Sequence, residues 1–154
     1  IYNTYNGFLA VYANIDNFTY AEPEITIENR PEIDRWVLSR LNSLKIEVKN
    51  AFEDYEPTKA GRAIQNFVND ELSNWYVRLC RRRFWRGDYT EDKVSAYQTL
   101  YTCLEQVAIM SSPIAPFFFD KLCALAIVDL AIASNAFSND FSPLNSASKV
   151  STSI

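Results

Sequence analysis

From Ile33 to Tyr55 the chain returns to an apolar residue every third or fourth position: Ile33, Trp36, Val37, Leu41, Leu44, Val48, Phe52 and Tyr55. That interval is the signature of an amphipathic helix, here about six turns long. Pro31 suits its first turn, where a missing N–H costs nothing, and Arg35, Lys45, Glu47 and Lys49 fall off the stripe. A helix of this kind needs partners for its apolar face. Two more stripes supply them. One opens at Pro57 and Thr58 and runs through Ala60, Ile64, Phe67, Val68, Leu72, Trp75 and Leu79. The other runs through Val94, Tyr97, Leu100, Tyr101, Leu104, Val107 and Ala108 and ends near Ser111 and Ser112. With only 3 Gly in 154 residues and few alternating segments, the pattern predicts an all-α protein and argues against a sheet.

The breaks between stripes are short. They fall at 56–57, 87–89 and 112–113, and Asp88-Tyr-Thr-Glu91 has the form of a capping box. Short turns place successive helices antiparallel. Before the first long stripe, Tyr2, Tyr5, Leu9, Tyr12 and Ala13 read as the end of a helix, and residues 16–30 as an extended linker. After the third stripe, Pro113 and Pro116 flank a new helix carried by Phe117, Phe118, Leu122, Leu125 and Ala126. The expectation is an antiparallel bundle of four or five helices over residues 1–133. From Ser134 the chain turns Ser- and Thr-rich and loses its period, so residues 134–154 are expected to be irregular or disordered. Asp120, Lys121 and Asp129 interrupt the apolar run 114–133, which fits a buried helix better than a membrane span. No secretory signal is visible, and a chain that opens at Ile1 inside a helical pattern reads as a fragment of a longer one.

Several chemistries lack their residues. The chain has no His, so Ser-His and Cys-His nucleophiles are impossible. Cys80, Cys103 and Cys123 are too widely spaced for a zinc site of the usual pattern, and they point to reduced thiols in the core or on helix faces of a cytosolic protein. No Gly-rich phosphate loop is present. The acidic pairs Glu53–Asp54, Asp70–Glu71 and Glu91–Asp92 suit helix surfaces and caps, and no catalytic residue or bound cofactor is assigned. On the wheel of the second stripe Arg62, Asn66, Asn69 and Ser73 gather on the far side, whereas Glu71 falls close to the apolar face and needs a partner such as a nearby Arg.

One segment does invite a ligand. Residues 78–86 hold Arg78, Arg81, Arg82, Arg83 and Arg86 with no acid, in a chain whose net charge is −4. Arginine matches phosphate through a planar fork of donors and stacks on bases. Phe84 and Trp85 add flat faces for an unpaired base, a combination suited to single-stranded RNA loops. Some of these arginines are expected to pair with acids; a division into about two structural and the rest free for a polyanion is the simplest. Trp36 and Trp75 sit on apolar stripes and are assigned to the core, while Trp85, past the regular stripe, is equally a core or a surface residue.

These residues also carry a family resemblance. Asn74-Trp-Tyr-Val-Arg78 followed by Arg81-Arg-Arg-Phe-Trp85 resembles the anticodon-binding helical domain of the isoleucyl-tRNA synthetases, class Ia enzymes. Asn3-Thr-Tyr-Asn6, Tyr12-Ala-Asn-Ile-Asp16, Asp34-Arg-Trp-Val-Leu-Ser-Arg-Leu41 and Ser112-Pro-Ile-Ala-Pro-Phe117 support it in the family's order, over roughly residues 1–120. The resemblance implies a module that recognises the anticodon stem-loop of an isoleucine tRNA. The parent would be a monomeric cytoplasmic ligase using ATP and Mg²⁺ at signatures that lie upstream of this domain, so the fragment alone would be inactive. By analogy with the related methionyl enzyme it adds Asn3 and Asn6 as base-reading candidates. The nucleic-acid set is then Arg78, Arg81, Arg82, Arg83, Trp85, Arg86, Asn3 and Asn6. The alternative is a helical domain that only docks against other domains of the same protein. The Ser-rich end departs from the family pattern.

Overall fold

The computed structural model describes residues 11–16, 18, 24–85, 88–117 and 119. The helix end expected over residues 1–10, Arg86, and the helix and tail expected beyond 119 lie outside them. Helix α1 is Val11–Ile15, α2 Glu32–Glu53, α3 Pro57–Asn66, α4 Arg78–Trp85 and α5 Glu91–Ser111. Between α3 and α4 the backbone continues without a break as a π-helical segment, Phe67–Val77, so residues 57–85 form one rod. Among the described residues no strand occurs, and no helix is long and apolar enough to cross a membrane.

The three long rods pack in the register that their short turns require. Trp36 meets Trp75 and Arg40 meets Glu71, so α2 and the rod run antiparallel. Arg83 meets Asp92 and Tyr76 reaches Ala96, so α5 is antiparallel to the rod as well. Helix α2 starts with Glu32 and Asp34 in its first turn, where carboxylates face the positive end of the helix dipole. It stops at a left-handed residue, Tyr55 (φ 58°), after which the Glu56 N–H returns to the Ala51 carbonyl at 2.8 Å. This is the bond pattern of a Schellman end. The expected side-chain cap at Asp88 is not formed: Thr90 is the N-cap of α5 and makes no capping side-chain bond.

The core is built from Val37, Leu41, Leu44, Val48 and Ala51 of α2, Ala60, Ile64, Phe67, Leu72, Tyr76, Cys80 and Phe84 of the rod, and Tyr97, Leu100, Cys103, Leu104 and Val107 of α5. Helix α5 was expected to show one apolar stripe. Instead every residue from Lys93 to Leu100 is buried. The reason is that Asp16, Ile25 and Arg30, from the stretch expected as a linker, bond to its polar side. Gln98 Oε1 accepts a hydrogen bond from the Ile25 N–H at 3.1 Å, and Arg30 Nη1 donates to Thr99 Oγ1 at 3.0 Å. Asp16 receives both the Tyr97 hydroxyl and the Lys93 ammonium. Burial, then the Asp16 carboxylate, raise the Tyr97 pKa far above its ordinary value. Cys80 and Cys103 are reduced and buried, as expected of core thiols.

Two tryptophans correct the stripe reading. Trp75 is 60% exposed and Leu79 56% exposed, although a regular α-helix would point both inward, and Trp36 is 38% exposed. The π segment explains the first two. Its i→i+5 bonding widens the turn, so inward positions recur at four and five residues rather than three and four. Phe67, Leu72 and Val77 therefore share the buried side with Val68, Tyr76 and Cys80, and Trp75 and Leu79 are turned outward.

Candidate nucleic-acid interface

The arginine-bearing helix α4 is held in place by one of its own arginines. Asp34, with no exposed surface, accepts Arg83 Nη1 on Oδ1 at 2.7 Å and Arg83 Nη2 on Oδ2 at 2.9 Å. The Tyr76 hydroxyl donates to Oδ1 at 2.9 Å and the Ser95 hydroxyl to Oδ2 at 2.6 Å. On its outer side Arg83 bridges to Asp92, with Nε to Oδ2 at 3.0 Å and Nη2 to the Asp92 carbonyl at 2.7 Å. A buried charge tolerates such a place only when its bonding capacity is filled, and here donors from the two other rods fill it. Burial alone would lower the Arg83 pKa. The hydrogen bonds and charge of Asp34 outweigh burial and raise it. Desolvation, followed by the Asp34 charge, likewise pushes the Tyr76 hydroxyl well above its usual value, keeping it a donor.

Arg83 was among the residues expected to meet nucleic acid. The structure instead commits its guanidinium to Asp34 and Asp92, with 15% of the side chain exposed. It acts as the pin that sets the rotation of α4. With Arg83, Cys80 and Phe84 turned inward, helical geometry places Arg78, Arg81, Arg82 and Trp85 on the opposite side, and all four are exposed. The Arg81 guanidinium lies 5.4 Å from the Trp85 ring centre, a cation–π stack between residues i and i+4. Trp85, 55% exposed, also leans on Tyr12 at 6.5 Å between ring centres. Its surface alternative is therefore the one realised. Among the described residues, neither Arg78 nor Arg82 has a carboxylate within ion-pair distance. Asn3, Asn6 and Arg86 lie outside the described residues.

A second feature sits beside this face. Arg40 forms a bidentate pair with Glu71, the Arg partner that Glu71 was expected to need. The pair closes one wall of a cleft of about 290 Å³ that Ser43, Glu47, Asn66 and Phe67 also line. Among the described residues no group of three His, Cys, Asp or Glu is placed to hold a metal ion.

Among the described residues the chain is an all-helical bundle with one cationic helix turned outward by a buried ion pair. The family described as the anticodon-binding domain of tRNA ligase matches residues 34–149, and the chain belongs to that family. It is 66% identical over 120 residues to the isoleucine–tRNA ligase of Cytophaga hutchinsonii, covering 78% of this chain and 11% of that protein. It is 62% identical over 122 residues to the Bacteroides fragilis enzyme of the same name, covering 79% of this chain and 11% of the relative. The Dehalococcoides mccartyi ligase is 45% identical over 143 residues, 92% of this chain and 14% of the relative. The chain thus spans about a tenth of the length of the relatives it matches.

Proposed function

We propose that this chain is the anticodon stem-loop recognition module of an isoleucine–tRNA ligase, supporting the ATP- and Mg²⁺-dependent isoleucylation of tRNA by a longer, monomeric, cytoplasmic enzyme. The observation that carries the reading is the face Arg78, Arg81, Arg82 and Trp85, held outward by the Arg83–Asp34 pin. Three guanidiniums can neutralise backbone phosphates, and the indole offers a surface to an unpaired base. The family membership and the names of the relatives supply the substrate class. Catalysis is assigned to parts of such an enzyme outside this chain, which covers about a tenth of its relatives' length and has neither a His nor a Gly-rich phosphate loop.

The test is a titration of the chain with an RNA hairpin carrying the isoleucine anticodon loop, at about 50 and 200 mM salt. Three contacts to single-stranded phosphates give a log–log salt slope of about −2. Arg82→Ala should reduce the slope by about 0.7 and weaken binding. A flat salt dependence, or no change on replacing Arg78, Arg81 or Arg82, would leave the bundle as a domain that docks within its own protein.

A further inference from the structure

The rod exposes a second aromatic site that the arginine face alone does not account for. Trp75 and Trp36 lie against each other at 6.3 Å between ring centres and 46° between planes, both open to solvent. Their exposure is a product of the fold rather than of fraying: the π segment carries Trp75 out of the core at the cost of regular α-helical bonding. Such segments are uncommon and concentrate at functional sites. Trp75 and Arg78 are both exposed and only three residues apart, so the indole pair lies within about a turn of the cationic face that ends in Trp85. From Trp75 to Trp85 is about 15 Å along the rod, the length of about four stacked nucleotides at roughly 3.4 Å each. Arg78, Arg81 and Arg82 lie between the two ends.

We infer that the Trp36–Trp75 pair is a second base-stacking station, and that the rod forms a track for an unpaired RNA strand with an indole at each end and guanidiniums between. The inference rests on the proposed RNA recognition and deepens it. It turns one contact helix into a surface that holds several unpaired nucleotides at once. Charge decides between RNA and a protein partner for this patch. Leu79 beside Trp75 would suit either, but among the described residues no carboxylate lies within ion-pair distance of Arg78 or Arg82, and a polyanion satisfies them. The arrangement tolerates any base, because a ring face carries no hydrogen-bond code.

The experiment uses the chain with two probes, the isoleucine anticodon hairpin and an unstructured oligouridine. Trp75→Ala and Trp36→Ala should each weaken hairpin binding roughly tenfold. Trp75→Phe, which keeps a ring, should recover most of the loss. In Trp85→Phe the remaining indole fluorescence belongs to Trp36 and Trp75, and saturating RNA should quench it. Urea midpoints check that the variants stay folded. If the hairpin binds and Arg82→Ala weakens it while Trp75→Ala and Trp36→Ala leave affinity and quenching unchanged, the second station is wrong and the anticodon reading stands. If the hairpin does not bind but oligouridine binds in a Trp75-dependent way, the station stands and the anticodon reading fails. Binding of neither probe overturns both.

Discussion

At Asp34 four hydrogen bonds from three side chains converge on two oxygens, and removing that carboxylate breaks all four and leaves the half-buried Arg83 only its outer pair with Asp92. Breaking one side of a buried pair costs about 3–5 kcal/mol. Asp34→Ala should therefore lose about that much in urea unfolding followed by circular dichroism; a loss under about 1 kcal/mol would mean that the pin is not energetically real. Cys103 gives a second prediction at this scale. Burial, with a smaller push from the Asp34 charge, raises its thiol to about 12 from an ordinary 9.0. The folded state then holds the proton more tightly than the unfolded one. The contribution of this group is complete below pH 9 and falls as pH rises towards 12, by at most about 1.4 kcal/mol per unit. Urea midpoints at increasing pH above 9 should decline, and Cys103→Ala should make the decline shallower without abolishing it, since the buried Tyr76, Tyr97 and Cys80 are raised in the same sense. The Asp34 pin was partly legible in the sequence, because Asp34 falls on the line of Val37, Leu41, Leu44 and Val48. An acid in that line is buried and needs a cation. What the line does not reveal is which of five arginines answers, since that depends on the rotation of a different helix.

The rod shows where helical spacing stops being a guide. Spacing of three and four located α2, most of α5 and the start of the rod, because regular helices repeat that spacing faithfully. It misassigned Trp75 and Leu79 because a π segment changes the repeat, and neither residue type announces one. The exchange can be measured in neighbours. Tyr76 is wholly buried and bonded to Asp34, whereas Trp75 is mostly open. Tyr76→Ala should cost about 3–5 kcal/mol, the range for large aromatic truncations in a core. Trp75→Ala should cost under about 1 kcal/mol, in the range of surface changes. Equal losses would show that the rod is a regular helix with Trp75 inside. The covered polar side of α5 was hidden for a related reason. Lys93, Gln98 and Thr99 read as solvent residues until Asp16, Ile25 and Arg30 are laid across them, and that packing has no periodic trace.

For the molecule as a whole the question is how a chain of net charge −4 can attract a polyanion. The nearby acids Asp34 and Asp92 are paired with Arg83, and others lie at a distance. The rod's basic end lies beside Asp34, and Glu53, at the other end of α2, is about 28 Å away along the helix at 1.5 Å per residue. At physiological salt charges are screened beyond about 8 Å, so an approaching RNA meets the local guanidiniums and little of the distant acid. Glu53→Gln, which gives up only an exposed pair with Lys49, should then change hairpin affinity less than twofold at about 0.15 M salt. At about 0.01 M the screening length grows to about 30 Å, and the same variant should bind measurably tighter than the parent chain. Arg82→Glu, which reverses a charge inside the face, should lose roughly tenfold or more at either salt, an effect of one lost phosphate contact and one new repulsion. A Glu53→Gln effect as large at high salt as at low salt would mean that net charge governs binding and that the pinned face has no local field of its own.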